Sequence, residues 1–546
     1  MTPKTLIAAI PTDASADRAP GQGLWLVGLV LLWLSLVTGC ATPLPMVNRD
    51  AIESTAIEGS SQTKLGKIIA TSSPMDVHSG FRLMPLGPFS FDTRLVLAEM
   101  AQVSLDVQYY NLEADETGRY LLRALRDAAQ RGVRVRLLID DLYTGGQDDL
   151  FLGFASHPNV EVRLFNPFTR ARSSGQAGRF VASIAEFKRV NHRMHNKMFV
   201  ADGVAAIIGG RNVANEYYLR SETDNFIDMD AFVAGKLVVP LAALFDRYWN
   251  SDPVYPLKSV ARSSLDADQL RALFEHRTGP TTTTPPPPLP TNDILGYGPL
   301  REDLQDGRIG LLWGDAYAFA DHPDKPFDGA VDGELLETSV TYNIIEPMMK
   351  AKSEVVISSP YFVPGERGMA LLRELRNRGV RISVLTNSLG STDEQVVHLG
   401  YSRYREEMLR MGIELFELSS SGVKRNRRLF HFASGLGRLH AKLLVIDRQV
   451  LFIGSMNFDP RSATINTELG AIVDSKPLAR EMTRVIDLDR LQSAYRVRLA
   501  ASGKGLEWIQ LDDEGQEQVL TEEPDSSTWT RLKLWLLRPL VSEGLL

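Results

Sequence analysis

The chain has 546 residues, 44% of them hydrophobic and 23% charged, with a formal net charge of −7. It lies in the globular range and is long enough for two domains, and its net acidity argues against a general nucleic-acid binder. A single cysteine, Cys40, excludes an intramolecular disulfide and a multi-cysteine metal site.

In chain order, residues 1–40 come first, ending in an uncharged, largely apolar run from Gly23 to Val37. That run has the size of a signal-peptide core and is short for a spanning helix. It closes on Val37-Thr38-Gly39-Cys40, similar to the lipobox of a bacterial lipoprotein signal, so Cys40 is the expected lipidated N-terminus. The alternative is an uncleaved anchor. Both readings put the body outside the cytoplasm, beside a membrane of the bacterial envelope. Residues 41–79 are polar and read as a tether.

A first α/β lobe spans 80–256: short apolar strands over Leu105–Gln108, Val133–Ile139, Met198–Ala201 and Ala205–Gly209, with a helix over Thr117–Arg131. Residues 257–291 read as a Thr/Pro-rich linker around Thr281–Pro288. A second lobe spans 292–499. Residues 500–546 form a C-terminal extension. Its stretch from Trp529 to Arg538 reads as an amphipathic helix, lying on a membrane surface or docked on the body.

Each lobe carries one copy of the same signature. His195, Lys197 and Asp202 are followed by Gly209-Gly210-Arg211-Asn212. His440, Lys442 and Asp447 are followed by Gly454-Ser455-Met456-Asn457 at the same spacing. Upstream, Gly132 and Gly379 open matching apolar strands. Downstream, Asp228-Met-Asp230-Ala aligns with Glu468-Leu-Gly470-Ala, so each copy owns a trailing carboxylate. One ancestral unit has been duplicated. On an extended strand, a His two residues before a Lys shares its face. The Asp lies past the turn, so Asp202 and Asp447 are expected to hold turns rather than face substrate. Basic residues gather before both motifs: Arg163, Arg170, Arg172, Arg179, Lys188, Arg189 and Arg193 before the first, and Lys424, Arg425, Arg427, Arg428 and Arg438 before the second. Such a field suits an anionic phosphate substrate, and Arg193 and Arg438 are the expected substrate contacts beside the motifs. Tyr110 and Tyr361 end the first strand of each lobe, where they line the pocket or pack the interface. No cluster has metal-ligand spacing, so neither a metal nor another cofactor is expected.

Paired H-x-K-x4-D elements followed by G-[GS]-x-N resemble the phospholipase D superfamily. Longer stretches resemble the bacterial cardiolipin synthases, the C type most. They are Leu105 to Tyr110, Val162 to Phe168, Arg193 to Lys197, Gly209 to Asn212, Ser359 to Pro364 and Gly454 to Ser462. The resemblance covers roughly Gly80 to Gln518. It implies two similar lobes, each a central mixed sheet flanked by helices, related by a pseudo-twofold axis with the site between them. It also implies phosphodiester chemistry: one histidine attacks phosphorus and forms a phosphohistidine, and the other protonates the leaving oxygen. In relatives the first-motif histidine is the nucleophile, which makes His195 the nucleophile and His440 the acid/base; the residues alone do not order them. Lys197, Lys442, Asn212 and Asn457 would neutralise the non-bridging oxygens. Asp228 and Glu468 are the candidates to fix the imidazole tautomers, with Asp224 and Asp230 close enough to compete.

The leading reading is a phosphatidyl transferase of phospholipid biosynthesis, joining phosphatidylglycerol and a second phospholipid into cardiolipin. The donor is phosphatidylglycerol or phosphatidylethanolamine, and a protein partner is left open. A transferase must limit water, and Phe180, Ile184 and Phe187, on one helical face beside Lys188 and Arg189, are the expected apolar wall with a cationic rim. Hydrolytic phospholipase D, releasing phosphatidic acid, is the alternative. A nuclease and a non-catalytic lipid-binding module trail it.

Overall fold

Strands buried on both faces dominate both halves, as parallel segments covered by helices must be. A computed structural model describes residues 44–59, 61–73, 78–325, 337, 339–419, 436–511 and 516–537. Cys40, the apolar run before it, and Lys424, Arg425, Arg427 and Arg428 lie outside the described residues. In the first lobe the strands are β1 (Ser79–Met84), β2 (Ser104–Tyr109), β3 (Arg134–Asp140), β4 (Val160–Phe165), β5 (Met198–Ala201), β6 (Ala205–Gly209), β7 (Asp224–Ile227), β8 (Asp230–Gly235) and β9 (Val254–Pro256). In the second they are β10 (Leu312–Ala320), β11 (Glu354–Ser358), β12 (Arg381–Asn387), β13 (Glu414–Leu418), β14 (Leu436–Leu439), β15 (Leu443–Ile446), β16 (Val450–Gly454), β17 (Leu469–Asp474), β18 (Ala494–Leu499), β19 (Leu506–Leu511) and β20 (Glu517–Leu520).

The pairings run β9-β4-β3-β2-β5-β6-β8-β1 through the first lobe. They continue as β10-β17-β16-β15-β11-β12-β13-β18-β19-β20 through the second. An antiparallel pairing of β1 with β10 joins the halves into one 18-stranded sheet. Read outward from that junction, β8 answers β17, β6 answers β16, β5 answers β15 and β2 answers β11. The expected mixed α/β lobes and their pseudo-twofold relation are present.

Helices α1 (Lys64–Ser72), α2 (Gly87–Met100), α3 (Glu116–Gln130), α4 (Val238–Trp249), α5 (Ala267–Thr278), α6 (Val340–Met349), α7 (Gly365–Asn377), α8 (Lys476–Gln492) and α9 (Thr528–Leu537) cover the sheet. α3 and α7 both stop at a glycine in the left-handed region, Gly132 at φ 96° and Gly379 at φ 83°, where a side chain would be strained. Each lobe has its own core, and a further cluster crosses between them, placing Phe81, Val200, Ile208 and Phe245 with Val356, Leu443, Ile453 and Met482.

Three boundary expectations are corrected. The segment read as a tether is bound to the body: Leu65, Ile68 and Ile69 of α1 are buried in the first-lobe core, and Arg49 donates to the carbonyl of Asp252 at 2.7 Å. The segment read as linker holds Leu257–Val260 and α5, whose Leu270 and Phe274 are buried, while the stretch around Thr281–Pro288 lacks regular structure. The extension is part of the second lobe, since it contributes β19 and β20 to the sheet; its helix α9 takes the docked alternative, through Leu534 onto Leu389 and Leu399.

Candidate functional site

Each motif histidine is seated by backbone bonds to the opposite lobe. Met194 bridges Thr467, and the His195 amide donates to the Thr467 carbonyl at 2.8 Å. In the symmetric position, β14 runs parallel to β7, and the His440 amide donates to the Ile227 carbonyl at 2.7 Å. The residue after each acceptor is a carboxylate. His195 Nδ1 therefore meets Glu468 at 2.8 Å, and His440 Nδ1 meets Asp228 at 2.6 Å. The sequence names both carboxylates without saying which histidine each holds; in the structure the pairs cross between the lobes, because the cross-lobe bridges set the neighbours.

The competing acids are occupied elsewhere. Asp230 pairs with buried Arg94 at 3.0 Å, and Asp224 pairs with Arg438 at 3.1 Å. The Asp/Glu asymmetry has a local cause. A Cβ on Gly210 would come within 2.1 Å of Asp228 Oδ1, so glycine makes room there. The other lobe has Ser455, whose hydroxyl donates to Glu468.

Lys197 donates to the His195 carbonyl at 2.7 Å, and Lys442 Nζ lies 3.1 Å from His440 Nε2. All four motif side chains are buried. Burial, with Lys197, Lys442 and His440 nearby, holds His195 well below the usual imidazole range. Burial and Lys442 push His440 down to about 4 despite Asp228. Burial alone would raise Asp228, but the His440 ring and Lys442 bring it down to about 2. Glu468, buried without an equally close cation, is pushed up to about 8. Each ring is held through Nδ1, so where the facing carboxylate is ionised it accepts from Nδ1–H and leaves the lone pair on Nε2. Burial lowers Lys442 to about 8 against Asp228 and Glu468, and lowers Lys197 as well. An incoming anion would offset the cations and raise all four groups.

Asp202 and Asp447 sit at the two turns, both in the left-handed region at φ 51° and 50°. Asp202 accepts from the amides of Gln102, Val103 and Ser104, and Asp447 from those of Lys352, Ser353 and Glu354. They fasten the starts of β2 and β11 to the motif strands β5 and β15, away from the imidazoles. Asn212 accepts from the Asn111 amide at 3.2 Å and donates to the Tyr217 hydroxyl at 2.8 Å. Asn457 is buried, and among the described residues its Oδ1 has no partner. Tyr110 packs edge-on against His195 at 4.9 Å. Tyr361 is farther along its strand end and donates to Asp393 at 2.7 Å.

Two arginine expectations are corrected. Arg193 is fully buried against Asp140 at 3.1 Å and the Asn166 carbonyl at 2.7 Å, so it holds the strand rather than a ligand. Arg438, paired to Asp224, ties β14 to β7 across the lobes. The expected wall helix is also corrected. It breaks into Gln176–Ala182, a short turn and Phe187–Asn191, with Phe180 against Phe168 and Ile184 and Phe187 exposed. Sequence reasoning missed Tyr217 and Phe226, which pack on His440 at 5.1 and 4.9 Å. It also missed Arg461, whose charge reaches His195 and Tyr110. Arg461 lay inside a quoted stretch, but no periodicity pointed it inward.

Comparison with known proteins agrees with this geometry. Residues 96–249 and 344–490 match the family profile described as "Cardiolipin synthase, PLD-like domain". Cardiolipin synthase C of Escherichia coli is 37% identical over 464 residues, covering 84% of this chain and 94% of that protein. A cardiolipin synthase of Geobacillus kaustophilus is 24% identical, covering 79% and 72% respectively. Among solved structures, phosphatidylserine synthase of Haemophilus influenzae superposes with a TM-score of 0.54 at 13% identity, covering 89% of this chain and 100% of that one. That last likeness is one of fold.

Proposed function

Because the chain belongs to the cardiolipin synthase family of the phospholipase D superfamily, we propose that it transfers a phosphatidyl group onto phosphatidylglycerol, making cardiolipin through a phosphohistidine. The observation that carries the reading is the pair of buried histidines, each held by a carboxylate from the other lobe and flanked by a lysine. Because the Nε2 of His440 already lies 3.1 Å from Lys442 Nζ, we take His195 as the nucleophile. It attacks phosphorus, the bond to the leaving alcohol breaks, and that oxygen takes a proton from the His440 imidazolium. Ionised Asp228 stabilises this imidazolium once substrate phosphate offsets the lysines. His440 then removes the proton of the incoming hydroxyl, whose oxygen attacks phosphorus as the P–N bond breaks. Lys197, Lys442 and Asn457 hold the non-bridging oxygens.

Purified protein in mixed-lipid vesicles, given labelled phosphatidylglycerol or phosphatidylethanolamine in turn, should yield cardiolipin. Phosphatidic acid as the main product with abundant phosphatidylglycerol would make the enzyme a hydrolase. His195→Ala and His440→Ala should each lose nearly all turnover while keeping the wild-type melting temperature. An alkaline quench, which preserves phosphohistidine, should place the label on His195, and activity should survive a chelator. Label on no histidine would refute the covalent step. The extracytoplasmic location proposed from Val37 to Cys40 is tested by mass spectrometry of the mature N-terminus: an unmodified Cys40 still carrying the upstream segment rules out the lipid anchor. Among the described residues no helix is long and apolar enough to cross a membrane.

A further inference from the structure

Beside the second-lobe half of the site lies a cavity of about 400 Å3, within the roughly 300–1,000 Å3 of ligand pockets. Ile344, Met348, Phe362, Leu371, Met456 and Ala463 give it an apolar wall. Its wall adjoins the site along the chain: Met456 and Phe458 flank Asn457, and Phe362 follows Tyr361.

The first lobe shows what this space holds when it is closed. The two lobes are put in register by the amides that Asp202 and Asp447 accept, and by the bridges Leu112–Val213 and Phe362–Phe458. In that register Phe91 stands where the second lobe has Thr341, Tyr218 where it has Ala463, and Arg94 where it has Ile344. Arg211 stands where it has Met456, and Asp230 where it has Gly470. Phe91 and Tyr218 pack at 4.9 Å, and Arg94 and Arg211 converge on Asp230 at 3.0 and 3.5 Å. An aromatic pair and a buried ionic cluster thus fill the first lobe. In the second lobe both arginines are replaced by apolar side chains, the acid by glycine, and the two large rings by threonine and alanine. Only at Gly470 is the lost side chain's place taken up again, by the Phe452 ring, within 2.2 Å of where a Cβ would stand. Removing the polar cluster and the rings together leaves a largely apolar space.

We infer that this cavity receives a fatty acyl chain of a phospholipid whose phosphate lies at the histidines. The inference rests on the phosphatidyl-transfer reading and deepens it. The filled first lobe and open second lobe make the lipid bind in one orientation in an otherwise symmetric site.

Thr341→Phe with Ala463→Tyr restores the first-lobe ring pair and closes the cavity without touching a motif residue. Turnover is measured on dioleoyl and dihexanoyl phosphatidylglycerol, with chain length varied in donor and acceptor separately to show whose chain is bound. The ratio of long-chain to short-chain kcat/KM should fall about ten-fold or more, since exclusion of even a few methylenes suffices. Equal effects on both chain lengths would overturn the inference. A second measurement does not depend on the variant folding: phosphatidylglycerol bearing a diazirine at the acyl terminus, photolysed with the wild-type protein. Adducts should map to Val340–Met349 and Gly365–Asn377, and adducts confined to other segments would also overturn it. If the wild type releases only phosphatidic acid, the transfer reading fails while the ratio and the adducts still decide the cavity.

Discussion

Lys197 and Lys442 are buried next to imidazoles, and this makes their charge conditional. Burial holds Lys442 at about 8 and lowers Lys197 as well. A lysine lowered in this way is a cation below its folded-state value and neutral above it. In the free enzyme the phosphate-binding charge is therefore lost as pH rises through about 8 or below. A bound phosphodiester anion raises both groups, so the loss in the complex falls at higher pH. The alkaline limb of kcat/KM should lie at about pH 8 or lower and that of kcat above it. Lys442→Arg, which stays charged, should move the kcat/KM limb upward even while lowering its plateau. A limb that Lys442→Arg leaves in place would assign it to another group. At this scale the histidines, lysines and asparagines were legible in the sequence because duplication marked them. The crossing of Asp228 and Glu468 was not, since equal spacing in two copies reads the same for own-lobe and opposite-lobe pairing. Charge counting found Arg193 but gave no direction, and Asp140 had already claimed it.

Asp202 and Asp447 link two elements each, and their environments separate their contributions. Asp202 is 1% exposed and gathers three amides, of which that of Ser104 is buried and that of Val103 half-buried. Asp447 gathers three amides and the Ser353 hydroxyl at a solvent-exposed strand start. Leaving buried donors unsatisfied costs about 1–3 kcal/mol each, though not additively. Asp202→Ala should therefore destabilise by about 3 kcal/mol and Asp447→Ala by clearly less, in equilibrium denaturation. Equal costs would mean that water reaches the Asp202 turn. Strands and the main helices follow from apolar runs and were legible. The helix at Lys64–Ser72 was hidden in a polar stretch although Leu65, Ile68 and Ile69 already carried helical spacing. The break after Ala182 was not legible, because the stripe of Phe180, Ile184 and Phe187 fits a helix whose apolar face the fold leaves exposed at the latter two positions.

For the whole molecule the crossing has a mechanical consequence. Each half contains a motif histidine but lends its carboxylate to the other, so neither half holds a complete histidine–carboxylate pair. The halves also share the β1–β10 ladder and a common apolar cluster. A separated half would expose that cluster and a sheet edge, a surface that drives reassociation or aggregation. The stretch Thr281–Pro288 has no regular structure and lies before β10, so a chain split there keeps every strand of both lobes. Co-expressed halves should assemble into a complex with substantial phosphatidyl transfer. Either half alone should be inactive, even where it is soluble, and should not become labelled at its histidine. Mixing a His195→Ala first half with a wild-type second half should give a folded but inactive complex, which separates assembly from chemistry. Turnover by a single half would show that one histidine suffices, and the composite site would then be an arrangement without catalytic meaning.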